Sequence, residues 1–321
     1  MAELNAKEQE ALEAMRTAFD GEDGFGMPMN DLTYGRYLRA RNFNVVKATK
    51  MLRETLVWRK EFDFPKLYAE DKPIIANENS TGKMYVRGYD KEGSALIYMK
   101  PVHENTKDHV GNIKHLVYTM ERAIACMDAK GQGCSKLSLV IDYDGYNTSH
   151  MPPFKTSTET LNILQNHYPE RLKCAYTLRA PFVFYAFFRM VSPFIDPVTK
   201  KKICMIKNAE VGKDACQLNQ EVDREVLETC VGGLDERPFV SADYIAAPFH
   251  LDYLSILNGV STAEPAAEVA VVAASLEELK VVDSDVSTPS TPATPALTPL
   301  ADEEVVEKVE QPEQESEAVV A

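Results

Sequence analysis

Residues 175–206 read AYTLRAPFVFYAFFRMVSPFIDPVTKKKICMI. Two short apolar segments, AYTLRAP and ICMI, have the character of strands, and they bracket a run from Phe182 to Ile195 that only Arg189 and Ser192 interrupt. A strand, a helix and a strand in that order form a crossover, and a crossover joins parallel strands. At helical spacing Phe182, Phe184, Phe187, Phe188, Met190 and Phe194 point in every direction, so no single buried face takes them all. A bilayer span needs about 20 apolar residues, and this run is shorter. The segment is buried, or it touches lipid.

The same alternation continues upstream. KLSLVIDYDGY, from Lys136, reads as a strand buried on both faces through Leu137, Leu139, Val140 and Ile141, and TSTETLNILQNHY follows as a helix. Before it, KMYVRGYDKEGSALIYMKP alternates around a turn as a strand pair, and GNIKHLVYTMERAIACM returns to helix. Nearer the N-terminus, ELNAKEQEALEAMRTAF places Leu4, Ala11, Met15 and Phe19 on one helical face, with GEDG as the stop. Asn30 or Asp31 caps a short helix through Arg41, and Asn44 caps another with Val45, Ala48, Leu52 and Leu56 in one stripe before Trp58. The predicted organisation is a helical lobe over residues 1–66 and an α/β domain over 67–258 with a mostly parallel sheet. QEVDREVLETC is expected to be its last helix, before GGLDE. From 259 to 321 the aromatics vanish, and the tail cannot bury enough apolar surface to offset the entropy of ordering it.

Composition narrows the function classes. With 321 residues and 45% hydrophobic content the chain can build a sizeable core. The net charge of −14 is mostly tail: residues 262–321 hold 14 acidic side chains against 2 lysines, a balance of −12, which leaves −2 for the rest. Nothing supports nucleic-acid binding. The six cysteines form no Cys-x-x-Cys pair, and MAELNAKEQE lacks the apolar region of a signal peptide, so reduced thiols and a cytoplasmic address are expected. No other window approaches a membrane span and no lipid-attachment motif is present, so membrane contact is expected to be peripheral and transient, made by a monomer.

Catalytic motifs are missing. STGK at 80–83 resembles the end of a phosphate loop, but Asn77 stands where its first glycine belongs and Met84 where a magnesium-binding hydroxyl belongs. Asp142 and Asp144 lack a third ligand at useful spacing, so a strand end turning at Gly145 explains them better than a metal does. The histidines are scattered and there is no Gly-x-Ser-x-Gly elbow. Neither a catalytic residue nor a metal site is expected. In the tail, Thr288, Thr291, Thr294 and Thr298 each precede proline, a pattern that suits proline-directed kinases and equally suits a plain spacer.

Six segments, YLRARNFNVVKATKML, GYDKEG, LVIDYDG, LQNHYPERL, APFVFYAFFRMVSPFIDPVTKKKI and VGGLDE, follow one another in an order and spacing that resembles the CRAL-TRIO lipid-binding family, whose members include phosphatidylinositol/phosphatidylcholine transfer proteins. The resemblance covers roughly residues 30–236. It implies a helical lobe followed by a sheet that floors an apolar lipid pocket, closed by a gate helix at Phe182–Ile195. A phospholipid has on the order of 30 buried methylenes at about 0.8 kcal/mol each, so carrying one through water requires a sealed apolar cavity. The resemblance further implies a phosphatidylinositol headgroup site at Arg41, Glu170, Thr199 and Lys202, whose donors and acceptor suit a phosphate and inositol hydroxyls. Taken as residues alone, Glu170 and Lys202 make an ion pair and Arg41 ends its helix.

Two departures from the family pattern concern the ligands. Asn42 replaces a second basic residue beside the arginine. Leu137, Leu139 and Leu164 stand where hydroxyl side chains hold a choline phosphate, and a phosphate buried against leucine is unsatisfied at a cost of roughly 2–7 kcal/mol. Phosphatidylcholine is therefore expected to be a poor ligand. The implied protein binds phosphatidylinositol, requires no cofactor and exchanges that lipid for a second hydrophobic ligand at intracellular membranes. The alternatives are a carrier of sterol or another small hydrophobe, and an interaction scaffold that transfers nothing.

Overall fold

A computed structural model describes residues 4–195 and 197–260. The tail with Thr288, Thr291, Thr294 and Thr298, and the side chains of Phe187 and Phe194, lie outside the described residues.

Asparagines start the helices that the sequence marks. Asn5 closes a capping box with Glu8 at the head of α1 (Ala6–Ala18), Asn30 caps α2 (Asp31–Ala40), and Asn44 caps α3 (Val45–Phe62). Ala11, Met15, Phe19, Tyr34, Leu38, Leu52 and Leu56 interlock as the core of this lobe. The short helices α4 (Phe64–Ala69) and α5 (Lys72–Asn79), each with proline in its first turn, lead into the sheet.

Strands β1 (Met84–Tyr89) and β2 (Ala95–Met99) form an antiparallel hairpin. Helix α6 (His109–Lys130) follows, then β3 (Leu137–Asp142), α7 (Phe154–His167) and β4 (Leu172–Leu178). Next come α8 (Phe182–Val191), α9 (Pro197–Lys201) and β5 (Ile203–Ile206). Helices α10 (Gln217–Glu221), α11 (Ser241–Ala246) and α12 (Tyr253–Leu257) complete the described chain. The sheet runs β1-β2-β3-β4-β5, and every pairing after the hairpin is parallel. The expected α/β architecture with a mostly parallel sheet is what the chain adopts, and α8 lies in the β4–β5 crossover.

Two expectations fail. β3 is not buried on both faces, because Leu139 and Ile141 are only half-buried while Ser138 and Val140 are sealed. QEVDREVLETC is not a helix: α10 ends at Glu221 and Val222 is extended. The segment instead uses its main chain to hold Asp235, with Asp235 N–H donating to Leu227 O at 3.0 Å and Thr229 N–H donating to Asp235 O at 3.0 Å. Glu228 is thereby buried, where it accepts from Tyr85 Oη and Lys100 Nζ, both at 2.6 Å. Two charge-assisted bonds in a low-dielectric site outweigh the weak helical propensity of this stretch.

α3 also fastens the lobe to the body. Arg59 donates to both carboxylate oxygens of Glu121 at 2.8 and 3.1 Å, and Tyr168 Oη donates to the same carboxylate at 2.8 Å. Burial alone would raise the Glu121 carboxyl, but the Arg59 charge and these hydrogen bonds hold it below the usual carboxylate range. Beside them the Trp58 ring lies flat on His167, centroids 4.3 Å apart.

Candidate functional site

Strand register decides which side chains share a face. Ile97, Leu139, Ala175 and Ile203 form one row across β2–β5, and Met99, Ile141, Thr177 and Met205 form the next row on the same side. Of these, Met99, Leu139, Ile141, Ile203 and Met205 are half-buried and Ile97, Ala175 and Thr177 are buried, whereas on the opposite side Tyr98, Val140, Tyr176 and Leu178 are sealed and Cys204 is half-buried. The sheet therefore has one nearly closed face and one mostly apolar, more open face, on which five of the eight side chains in these rows are only partly covered by the described residues. Leu139 belongs to the open face. Leu137 is 1% exposed, and Leu164 of α7 packs partly buried against the main core.

α8 stands at the C-terminal end of β3, where Phe184 meets Tyr143 with ring centroids 4.7 Å apart and stacks on Phe188 at 5.9 Å. Its faces are distinct. Phe182, Tyr185, Ala186, Arg189 and Met190 are exposed and recur at the spacing of one helical face. Phe182 is 87% exposed and Met190 51%, while Val183, Phe184 and Phe188 are half-buried on the other side. Phe182, Tyr185 and Met190 thus turn apolar surface outward beside the charged Arg189. Among the described residues no helix is long and apolar enough to cross a membrane.

Three of the four headgroup candidates, Glu170, Thr199 and Lys202, are tied together by contacts. Lys202 Nζ lies 3.8 Å from Glu170 Oε2, with the two side chains 19% and 25% exposed. That separation is an ion pair without a hydrogen bond, so both groups keep bonding capacity for a ligand. Lys202 N–H donates to Thr199 O at 3.0 Å and Lys202 O accepts from Ala175 N–H at 2.8 Å, which ties Thr199 and Lys202 to the start of β5. Glu170 enters β4 from a left-handed conformation at φ 56°. Arg41 caps the C-terminal end of α2, where its Nη1 donates to Ala40 O at 3.0 Å, and within the described residues it makes no ion pair with Glu170. Glu170 and Lys202 thus mark the N-terminal ends of β4 and β5, while α8 begins beyond the C-terminal end of β4. The seven residues of β4 put about 20 Å between those ends. An elongated amphiphile with its polar end at the pair and its apolar length along the open face fits that arrangement.

One pair escapes sequence reasoning. Arg179 Nε donates to Asp142 Oδ1 at 3.0 Å and its Nη2 lies 2.5 Å from Asp142 Oδ2. The sequence presents Asp142 only as a weak metal candidate, and an acid ending one strand with a base ending the next is the signal that could have found the pair. Among the described residues no group of three or more His, Cys, Asp or Glu side chains is arranged to hold a metal ion. A cleft of about 540 Å³ lined by Arg16, Phe19, Asp31 and Tyr34 lies in the helical lobe, away from the sheet, and the ion pair of Arg16 with Asp31 across it makes it a poor lipid site.

Known proteins share the sequence pattern and the fold of this chain. Residues 79–233 match the CRAL/TRIO domain and residues 6–54 the CRAL/TRIO N-terminal domain. A CRAL-TRIO domain-containing protein of Schizosaccharomyces pombe is 40% identical over 168 residues, which are 52% of this chain and 16% of that protein. A phosphatidylinositol transfer protein of Saccharomyces cerevisiae is 36% identical over 176 residues, 52% of this chain and 49% of its own. The match therefore spans half or less of the length of these two relatives. The SEC14 cytosolic factor of Eremothecium gossypii is 30% identical over 237 residues, covering 63% of this chain and 70% of that one. Among solved structures, the crystal structure of Sfh5 superposes with a TM-score of 0.65 at 17% identity, covering 87% of this chain and all of Sfh5, a likeness of fold.

Proposed function

The chain belongs to the CRAL/TRIO lipid-binding family, and from that premise we propose that it is a phosphatidylinositol-binding transfer or presenting protein that works at membrane surfaces from the cytoplasm, without catalysis. The observation that carries the reading is the half-open apolar face of β2–β5 with the loosely paired Glu170 and Lys202 at one end and the outward aromatics of α8 beyond the other. Lys202 meets the lipid phosphate and Glu170 accepts from inositol hydroxyls, with Thr199 beside them and Arg41 reaching in from the lobe. α8 is the gate. Its outward face enters the bilayer while Phe184 and Phe188 stay over the acyl chains. Membrane and cavity are both apolar, so the net cost of passing lipid between them is small as long as the open gate meets bilayer and not water.

Leu139 on the open face and the leucines at 137 and 164 supply no donors for a second phosphate, which favours a neutral or weakly polar hydrophobe as the exchange partner over phosphatidylcholine. The test is a vesicle assay with labelled lipids. Transfer of phosphatidylinositol by the natural chain, lost in the Glu170→Ala/Lys202→Ala double variant at unchanged melting temperature, supports the reading. Undiminished transfer by that variant contradicts the headgroup assignment.

A further inference from the structure

Arg179 sits in the left-handed backbone region at φ 55°, a conformation that favours glycine or asparagine over arginine. It lies three residues before α8 and is joined to it only by Ala180 and the extended Pro181. What holds an arginine there is its side chain. The guanidinium grips Asp142 through Nε and Nη2 at 3.0 and 2.5 Å, and Nη2 also donates to Cys230 O at 2.6 Å. Its own N–H donates to Ile206 O at 3.0 Å. The ends of β3 and β5 and the turn at Cys230 therefore meet at one residue, where side-chain exposures of 15% for Arg179 and 7% for Asp142 limit screening by solvent. The next residue after Asp142 is Tyr143, whose ring is what Phe184 of α8 rests on.

We infer that the Asp142–Arg179 pair is the latch of the α8 hinge: it fixes the angle at which α8 leaves the sheet and so sets how often α8 swings away from the open face. This rests on the reading of α8 as a gate. Two supports at the N-terminal side of the helix, the covalent one through Arg179 and the packing one through Tyr143, hang on the same two-residue stretch at the end of β3. Breaking the pair loosens both together, whereas the sheet keeps its parallel pairings. Arg179 is on this account a positioning residue that touches no lipid.

The test uses the full chain with Arg179→Asn, which tolerates the left-handed backbone but cannot make the pair, alongside Asp142→Asn and Arg179→Lys. Hydrogen–deuterium exchange of the 182–191 amides is the readout that does not depend on any ligand. The latch predicts about a tenfold faster exchange there in Arg179→Asn and Asp142→Asn, with β3 and β4 amides unchanged, and partial recovery in Arg179→Lys, which restores one contact to Asp142. Unchanged exchange in α8, or an equal rise throughout the molecule, overturns the latch. Lipid exchange measured on the same variants reads the gate separately: faster α8 opening with several-fold faster transfer supports both readings, and faster opening with unchanged transfer keeps the latch and removes the gate.

Discussion

At the scale of single residues, His115 shows how burial becomes pH dependence. Its ring is 1% exposed, its Nε2 faces the Asn79 amide at 3.2 Å, and its Nδ1 has no hydrogen-bond partner among the described residues. Burial, with the nearby Lys83 charge adding to it, pushes its pKa down to about 3. The unfolded chain binds a proton near the ordinary histidine value of about 6.5, so the folded form loses stability as pH falls from there toward about 3, at about 1.4 kcal/mol per pH unit. Urea unfolding at pH 7, 6 and 5 should show this slope beyond that of His115→Gln, and parallel curves for the two proteins would contradict it. The Arg59–Glu121 pair is a second case: Arg59→Met leaves a buried carboxylate unpaired and should cost about 3–5 kcal/mol of unfolding free energy. The sequence made Glu170, Lys202 and Arg41 legible only through family likeness, since even the approach of Lys202 to Glu170 depends on where β4 and β5 begin in space. Asp142 and Arg179 left only the faint signal of an acid and a base at neighbouring strand ends, because residues far apart in sequence pair only after the parallel register is set.

At the scale of elements, caps and periodicity carried α1–α3, the β1–β2 hairpin and the alternation of α6, β3, α7, β4, α8 and β5, but not the short helices α4, α5 and α9. Asn5, Asn30 and Asn44 act within a turn of themselves, so local physics suffices for them. The 222–230 stretch defeated the same reasoning because its main chain is spent on Asp235, a long-range demand that no window contains. Nor could sequence tell which side of α8 faces out, for its apolar residues surround the axis. The described side chains now separate them, and a scan to serine should divide accordingly. Phe182→Ser and Met190→Ser on the exposed face should slow transfer several-fold with bound lipid retained, because they weaken docking alone. Phe184→Ser and Phe188→Ser should lower bound lipid first. Equal loss of both quantities at all positions, with a falling melting temperature, would make α8 ordinary core.

At the scale of the whole molecule, the described residues form two apolar cores, one among α1–α3 and one around the sheet. Removing residues 262–321, with their balance of −12, should leave the melting temperature within a degree or two and increase binding to anionic vesicles at low salt. A large loss of stability would show that the boundary is misplaced. The central claim is that the open face of the sheet carries phosphatidylinositol with its headgroup at Glu170 and Lys202. Mass spectrometry of lipid extracted from the purified chain and from its Glu170→Ala/Lys202→Ala variant tests it most directly. Phosphatidylinositol in the first and its loss from a folded second is the predicted result; a neutral hydrophobe alone, or no lipid in either, would contradict it.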